Sequence, residues 1–216
     1  MMIRSGNRRR LGYSLLELLV SIGLMSVVMT LGVRSFAMLT SLWNETSALA
    51  DLSDGAVQAF KQIEVDLADT LSAELSGVSI VGIDRVAENK RDFNSAGDAD
   101  DSLIIPVQGI LPGVSLYRSR SVQYHVDRDN GRSHLKRSIG VLGDKNPSSN
   151  RTDVISRFDT LRFDVSFATG DAKEPWVDEW KSEALPRAVR VSLTLADPDN
   201  IFRQVSRKKI FSMHVR

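Results

Sequence analysis

Tyr13 to Val33 reads YSLLELLVSIGLMSVVMTLGV: 21 residues with a single charge, Glu17. As a helix this run is roughly 32 Å long, enough to cross a bilayer core of about 30 Å. On its amino side, Met1 to Gly12 carries Arg4, Arg8, Arg9 and Arg10 and no acid; Arg34 closes the other side. Basic residues before the span predict a cytoplasmic amino terminus and a carboxy-terminal domain outside the inner membrane. A secretory signal has a shorter apolar core, about 7–15 residues, and a small-residue cleavage site, which does not follow here. A buried core helix leaves the basic flank unexplained. A membrane anchor fits length, flanks and orientation together.

Whole-chain arithmetic hides this asymmetry. The 216 residues are 42% apolar and 25% charged, with 28 Lys+Arg against 27 Asp+Glu. A formal charge of +1 gives no global basic field to capture nucleic acid. The absence of Cys excludes disulfides, thiolate metal sites and Cys nucleophiles. His125, His134 and His214 show no metalloprotease spacing, and neither a G-x-S-x-G elbow nor a G-x-x-x-x-G-K phosphate loop is present. No catalytic residue, cofactor or metal site is therefore expected. Asp98, Asp100 and Asp101 form an acidic cluster without EF-hand spacing, and a solvated loop is its default reading.

Glu17 is the anomaly of the span. An unpaired carboxylate there costs about 2–3 kcal/mol. It can lie shallow, in a first turn where the helix dipole favours an anion. It can also await a cation: a cut between Gly12 and Tyr13 would create an α-amine, largely protonated at neutral pH. The segment Arg10-Leu11-Gly12-Tyr13-Ser14-Leu15-Leu16-Glu17-Leu18-Leu19-Val20 resembles the type III signal of type IV prepilins and type II secretion pseudopilins. Tyr13 and Ser14 stand where that family has Phe and Thr. The resemblance implies cleavage after Gly12 by prepilin peptidase, N-methylation of Tyr13, and a role for Glu17 in assembly.

Beyond the span, no Pro occurs before Pro106, and 34–75 reads as a helix. Val57, Phe60, Ile63, Leu67, Leu71 and Leu75 mark one face, and Lys61, Gln62, Glu64, Asp66 and Asp69 fill the others. Asp54-Gly55 is a candidate kink or break. Leu39, Leu42, Trp43 and Leu49 are left for other subunits or the membrane surface.

From about Gly77 the period changes to two. Val122, Tyr124 and Val126 alternate with polar residues, Asp129-Asn130-Gly131 signals a hairpin, and Leu135 begins the return strand. Leu161, Phe163, Val165 and Phe167, then Val189, Val191, Leu193 and Leu195, repeat the alternation. Asp197-Pro198-Asp199-Asn200 is a turn before a last strand ending in Phe211, Met213 and Val215. Residues 87–101 and 140–152 read as surface loops. His125 and His134, flanking the hairpin, are candidate cross-strand neighbours.

One helix followed by many strands predicts an α+β fold. The resemblance makes it pilin-like: a cleaved leader at 1–12, a transmembrane helix segment at 13–33, its periplasmic continuation at 34–75, and an antiparallel β-rich periplasmic domain at 76–216. Gln58 to Leu67, Val122-Gln123-Tyr124 with Leu135-Lys136-Arg137, and Trp176 to Trp180 followed by Leu185-Pro186 are similar to patches of the J-type minor pseudopilin. That resemblance implies a structural subunit and not an enzyme. It also implies prepilin peptidase, I-type and K-type minor pseudopilins, the major pseudopilin and inner-membrane lipid as partners. Trp176 and Trp180 are read as core or interface residues.

Overall fold

The uncharged run and the amphipathic run after it form one helix, α1, Leu15–Ala68. In this computed structural model residues 14–70, 79–84, 100–109, 118–129, 131–141, 151–170 and 175–213 are described. The chain divides into two units, Met1–Ser47 and Ala48–Arg216. In the first, every described side chain from Ser14 to Ser47 is exposed. Leu19, Leu24, Phe36 and Trp43 are each more than 60% open, so no described residue of the unit covers its apolar surface.

Among the described residues the second unit contains the end of α1 and nine strands. They are β1 (Val81–Ile83), β2 (Ser102–Gly109), β3 (Arg118–Asp129), β4 (Arg132–Val141), β5 (Arg151–Val154), β6 (Asp159–Ala168), β7 (Trp176–Val177), β8 (Ala188–Asp197) and β9 (Asn200–Ser212). Among the described residues they make two antiparallel sheets, ordered β1-β2-β3-β4-β5 and β7-β6-β8-β9. This is the α+β, pilin-like architecture that the sequence predicts.

The core lies where α1 meets both sheets. Leu52, Ala56, Ala59, Phe60, Ile63 and Leu67 pack with Leu103, Ile105, Val122, Tyr124 and Leu135 from one sheet and Phe163, Val165, Phe167, Val191, Leu193 and Leu195 from the other. The sheets are joined through β6. Leu135 N–H donates to Thr160 Oγ1 (3.1 Å) and Ser133 Oγ to Thr160 O (2.8 Å). Asp101 N–H donates to Phe163 O at 3.0 Å, and Gly82 bridges Trp180.

The helix face differs from the spacing in two places. Val57 is 56% exposed, and Ala56 and Ala59 take the inward positions. Small side chains there let the helix axis come close to the sheets. Asp66, expected on the polar face, is 4% exposed. The helix is also continuous through Asp54-Gly55. Gly55 serves close approach instead: a Cβ there would stand 2.8 Å from Phe158 Cδ2 and 3.6 Å from Leu195 Cδ1. The helix ends at Ala68, and Thr70 already bridges Val107. Leu71 and Leu75 lie outside the described residues.

The strand alternation holds with local corrections. Asp129 pairs with Arg132, so the β3–β4 loop has two residues and the return strand begins at Arg132, three residues before Leu135. Gly131 has φ +80°, a left-handed backbone that glycine adopts without cost. Leu161 is the extra residue of a β-bulge between Thr160 and Arg162, which turns Thr160 inward and leaves Leu161 half-buried. Asp101, expected in a surface loop, is 2% exposed because its carboxylate accepts the Val165 N–H at 2.7 Å. The second expected loop is shorter at both ends, since Gly140 and Val141 belong to β4 and Arg151 and Thr152 to β5. Val215 lies outside the described residues.

Candidate functional site

Two places carry the interpretable chemistry: the amino-terminal helix and the seam where α1 meets the β3–β4 hairpin.

Helix α1 opens with Ser14, whose carbonyl accepts the Leu18 N–H at 3.1 Å. Glu17 sits in the first turn, where free backbone N–H groups favour an anion. Gly12 and Tyr13 lie outside the described residues. Four hydroxyls in the exposed part of the helix are satisfied within it. Ser21 donates to Glu17 O (2.7 Å), Ser26 to Gly23 O (2.8 Å), Thr30 to Ser26 O (2.7 Å) and Thr40 to Phe36 O (2.9 Å). A polar group left unpaired in hydrocarbon costs several kcal/mol. These internal bonds therefore let Ser21, Ser26, Thr30 and Thr40 enter apolar surroundings with the Leu, Val and Met around them. Helix α1 contains a stretch long and apolar enough to cross a membrane, and none of it is buried.

At the seam, the two-residue loop sets the hairpin register so that Tyr124 faces Arg137 across β3 and β4. Both side chains reach Asp66 on α1. Arg137 donates through Nε and Nη2 to the two carboxylate oxygens, each at 2.7 Å, and the Tyr124 hydroxyl donates to Oδ2. Asp66 is buried, Tyr124 fully so, and the Arg137 side chain is 15% exposed. Burial, and then the Asp66 charge, push the Tyr124 phenol well above its ordinary value near 10. The hydrogen bonds from Arg137 to Asp66 push the guanidinium further up. Tyr124 therefore stays protonated and Arg137 charged across physiological pH. The cluster ties the helix to both strands of the hairpin.

The signal for this cluster was partly present. Asp66 lies in Gln58–Leu67, and Tyr124 and Arg137 end Val122–Tyr124 and Leu135–Arg137, segments that stand out in the sequence. The structure brings these patches together.

Other candidates resolve into structural tasks. His125 pairs with Lys136 and His134 with Asp127, so the histidines are diagonal neighbours on one face and not directly opposite. Between them Lys136 donates to Asp127, which holds that carboxyl below its usual range. No group of three or more His, Asp or Glu among the described residues is arranged to hold a metal ion. Asp100 accepts two bonds from Arg128, at 2.7 and 2.8 Å, while Asp101 caps Val165, so those carboxylates have separate partners. Asp98 and His214 are outside the described residues. Trp180 packs on Phe167 (centroids 6.1 Å) and donates through Nε1 to Ala184 O at 3.0 Å. Trp176 lies under the Arg190 guanidinium at 4.4 Å. Both tryptophans are half-buried packing residues. Of the terminal cations, Arg207 bonds Ser53 Oγ (2.9 Å) and Lys209 bonds Glu64 (2.9 Å), tying β9 to α1.

Comparison with protein families finds the prokaryotic N-terminal methylation motif over residues 7–33, covering Arg8, Arg9, Arg10, Gly12, Tyr13, Glu17 and the apolar run. No curated protein matches the sequence. The motif is the type IV pilin and pseudopilin signal, and it implies processing by prepilin peptidase.

Proposed function

We propose that the chain is a minor pseudopilin of a type II secretion system, J-like, acting as a structural subunit of the pseudopilus tip. The observation that carries the reading is the methylation motif at 7–33 running directly into a helix of membrane-spanning length and then into a β-domain. The patches Gln58–Leu67, Val122–Tyr124 with Leu135–Arg137, and Trp176–Trp180 favour the J-type subunit. The other partners follow from that reading: I-type and K-type minor pseudopilins and the major pseudopilin.

The mechanism follows from the parts. The arginine leader keeps the amino terminus cytoplasmic in the inner membrane and leaves the β-domain periplasmic. Prepilin peptidase cuts after Gly12, and Tyr13 becomes the methylated amino terminus. Glu17, fifth in the mature chain, neutralises the new amine of its own chain or of a packed neighbour. The open apolar face from Leu15 to Leu49 exchanges lipid for the helices of other subunits during assembly. Loss of the leader leaves 24 basic against 27 acidic residues, a mildly acidic mature subunit. The chain carries out no chemistry of its own in this role.

The test is mass spectrometry of the membrane-extracted protein from cells with active prepilin peptidase. An N-methylated Tyr13 terminus is expected; an intact Met1 terminus overturns the reading. Glu17→Val should be processed normally and assemble poorly. A minor pilin of a type IV pilus is the second reading, because the motif is common to both systems. Co-purification with I-type and K-type subunits separates the two.

A further inference from the structure

The described sheets end in four edge strands. Three are short: β1 has three residues, β5 four and β7 two. Short edges are a common way to blunt strand pairing with foreign chains. The fourth, β9, has 13 residues, and only Phe211 among them is fully buried. Its inner side is committed. Phe211 packs on Phe60, and Arg207 and Lys209 reach Ser53 and Glu64 on α1. Its hydrogen-bonding edge away from β8 carries no strand among the described residues.

Two features select what such an edge accepts. The first is charge. From Asn200 to Met213 there are four cations, Arg203, Arg207, Lys208 and Lys209, and no acid. Arg203 pairs with Asp197 and Lys209 with Glu64, while Arg207 and Lys208 form no ion pair among the described residues. The second is apolar anchoring. Phe202 is 83% exposed, Ile210 54% and Ile201 45%. A second copy pairing edge to edge would set the same cations against each other. An added strand would run beside Lys208 and Ile210, which share the face of β9 turned away from α1, and its carboxylates would meet Lys208 with no competing acid on β9.

We infer that β9 is a strand-addition site for an extended, Asp- and Glu-rich segment of a partner protein. Main-chain bonds to the edge that no described strand occupies provide the pairing, and Lys208, with no acid on β9 to compete for it, provides the selectivity. The inference rests on the β-domain alone and is independent of the proposed role of the amino terminus.

The experiment uses the full chain in detergent micelles and follows amide exchange by mass spectrometry with residue-level fragmentation. The probes are a strand peptide of about ten residues alternating valine with glutamate, and its lysine counterpart. The glutamate peptide should slow every second β9 amide by about tenfold or more, with the gain shrinking in high salt. The lysine peptide should not. The variant Lys208→Glu, at an exposed position, should abolish that preference with its melting temperature little changed. Four results overturn the inference. They are no protection by the glutamate peptide, equal protection by both peptides, protection from raising the concentration of the chain alone, and protection only on phosphatidylglycerol vesicles.

Discussion

Replacing Arg137 by methionine isolates the energetics of the helix–hairpin seam. Asp66 is 4% exposed and takes two guanidinium bonds of 2.7 Å together with the Tyr124 hydroxyl. Arg137→Met keeps most of the side-chain volume but strands a carboxylate away from water with one neutral donor. Breaking a buried pair from one side costs about 3–5 kcal/mol. A domain of this size has about 5–15 kcal/mol in all, so the loss is a large share. At about 2–4 °C per kcal/mol it lowers the melting temperature by roughly 6–20 °C. The assay is thermal and urea unfolding in micelles, followed through Trp176 and Trp180 in the β-domain. The triple variant Asp66→Val/Tyr124→Phe/Arg137→Met removes every member of the cluster and should return to within about 2 kcal/mol of the native chain, since apolar replacement of a buried pair is often neutral. A loss below about 1 kcal/mol for Arg137→Met, the value of an exposed pair, would refute the burial argument. A triple variant as unstable as the single one would show that shape, not the stranded charge, sets the cost.

Three further outcomes follow from the same core. In the unfolded chain Tyr124 ionises above about pH 10, whereas the native phenol, its pKa raised by burial, stays protonated. Native protein then binds more protons, and stability falls by about 1.4 kcal/mol per pH unit above 10. Tyr124→Phe should remove that share of the slope in urea titrations between about pH 10 and 11. Gly55→Ala brings a Cβ to 2.8 Å from Phe158 and should cost about 1–3 kcal/mol despite alanine's better helix propensity, whereas Gly32→Ala, with nothing within 4 Å, should cost nothing measurable. Ala59→Leu overfills a fully buried site and should cost about 1–3 kcal/mol, while Val57→Ala on the open face should stay within about 0.5 kcal/mol; both are read from denaturant midpoints.

Local rules carried the chain a long way and stopped at a definable point. The long apolar helix was legible because its signal is length and charge, both properties of one contiguous segment. The alternation in β3, β6 and β8 was legible because a sheet with one buried face imposes period two on each strand separately. The hairpin was more legible than the pattern alone suggests: a two-residue loop at Asn130-Gly131 fixes the register, and that register already places Tyr124 opposite Arg137. The errors arise where a distant partner changes what a residue type means. Val57 reads as core because it is apolar and in phase, but the sheets approach the helix along Ala56 and Ala59, and only small residues fit there. Gly55 reads as a helix breaker because glycine is costly in helices, yet the Phe158 ring needs the missing Cβ. Asp66 is the clearest case. Its charge assigns it to solvent, and its burial depends on a guanidinium 71 residues away that no local period can report. Charge therefore marks exposure only while it is unpaired. Asp66 and Asp101 are both buried acids with donors from distant strands, and in both cases the donor, not the acid's own neighbourhood, decides its place in the fold.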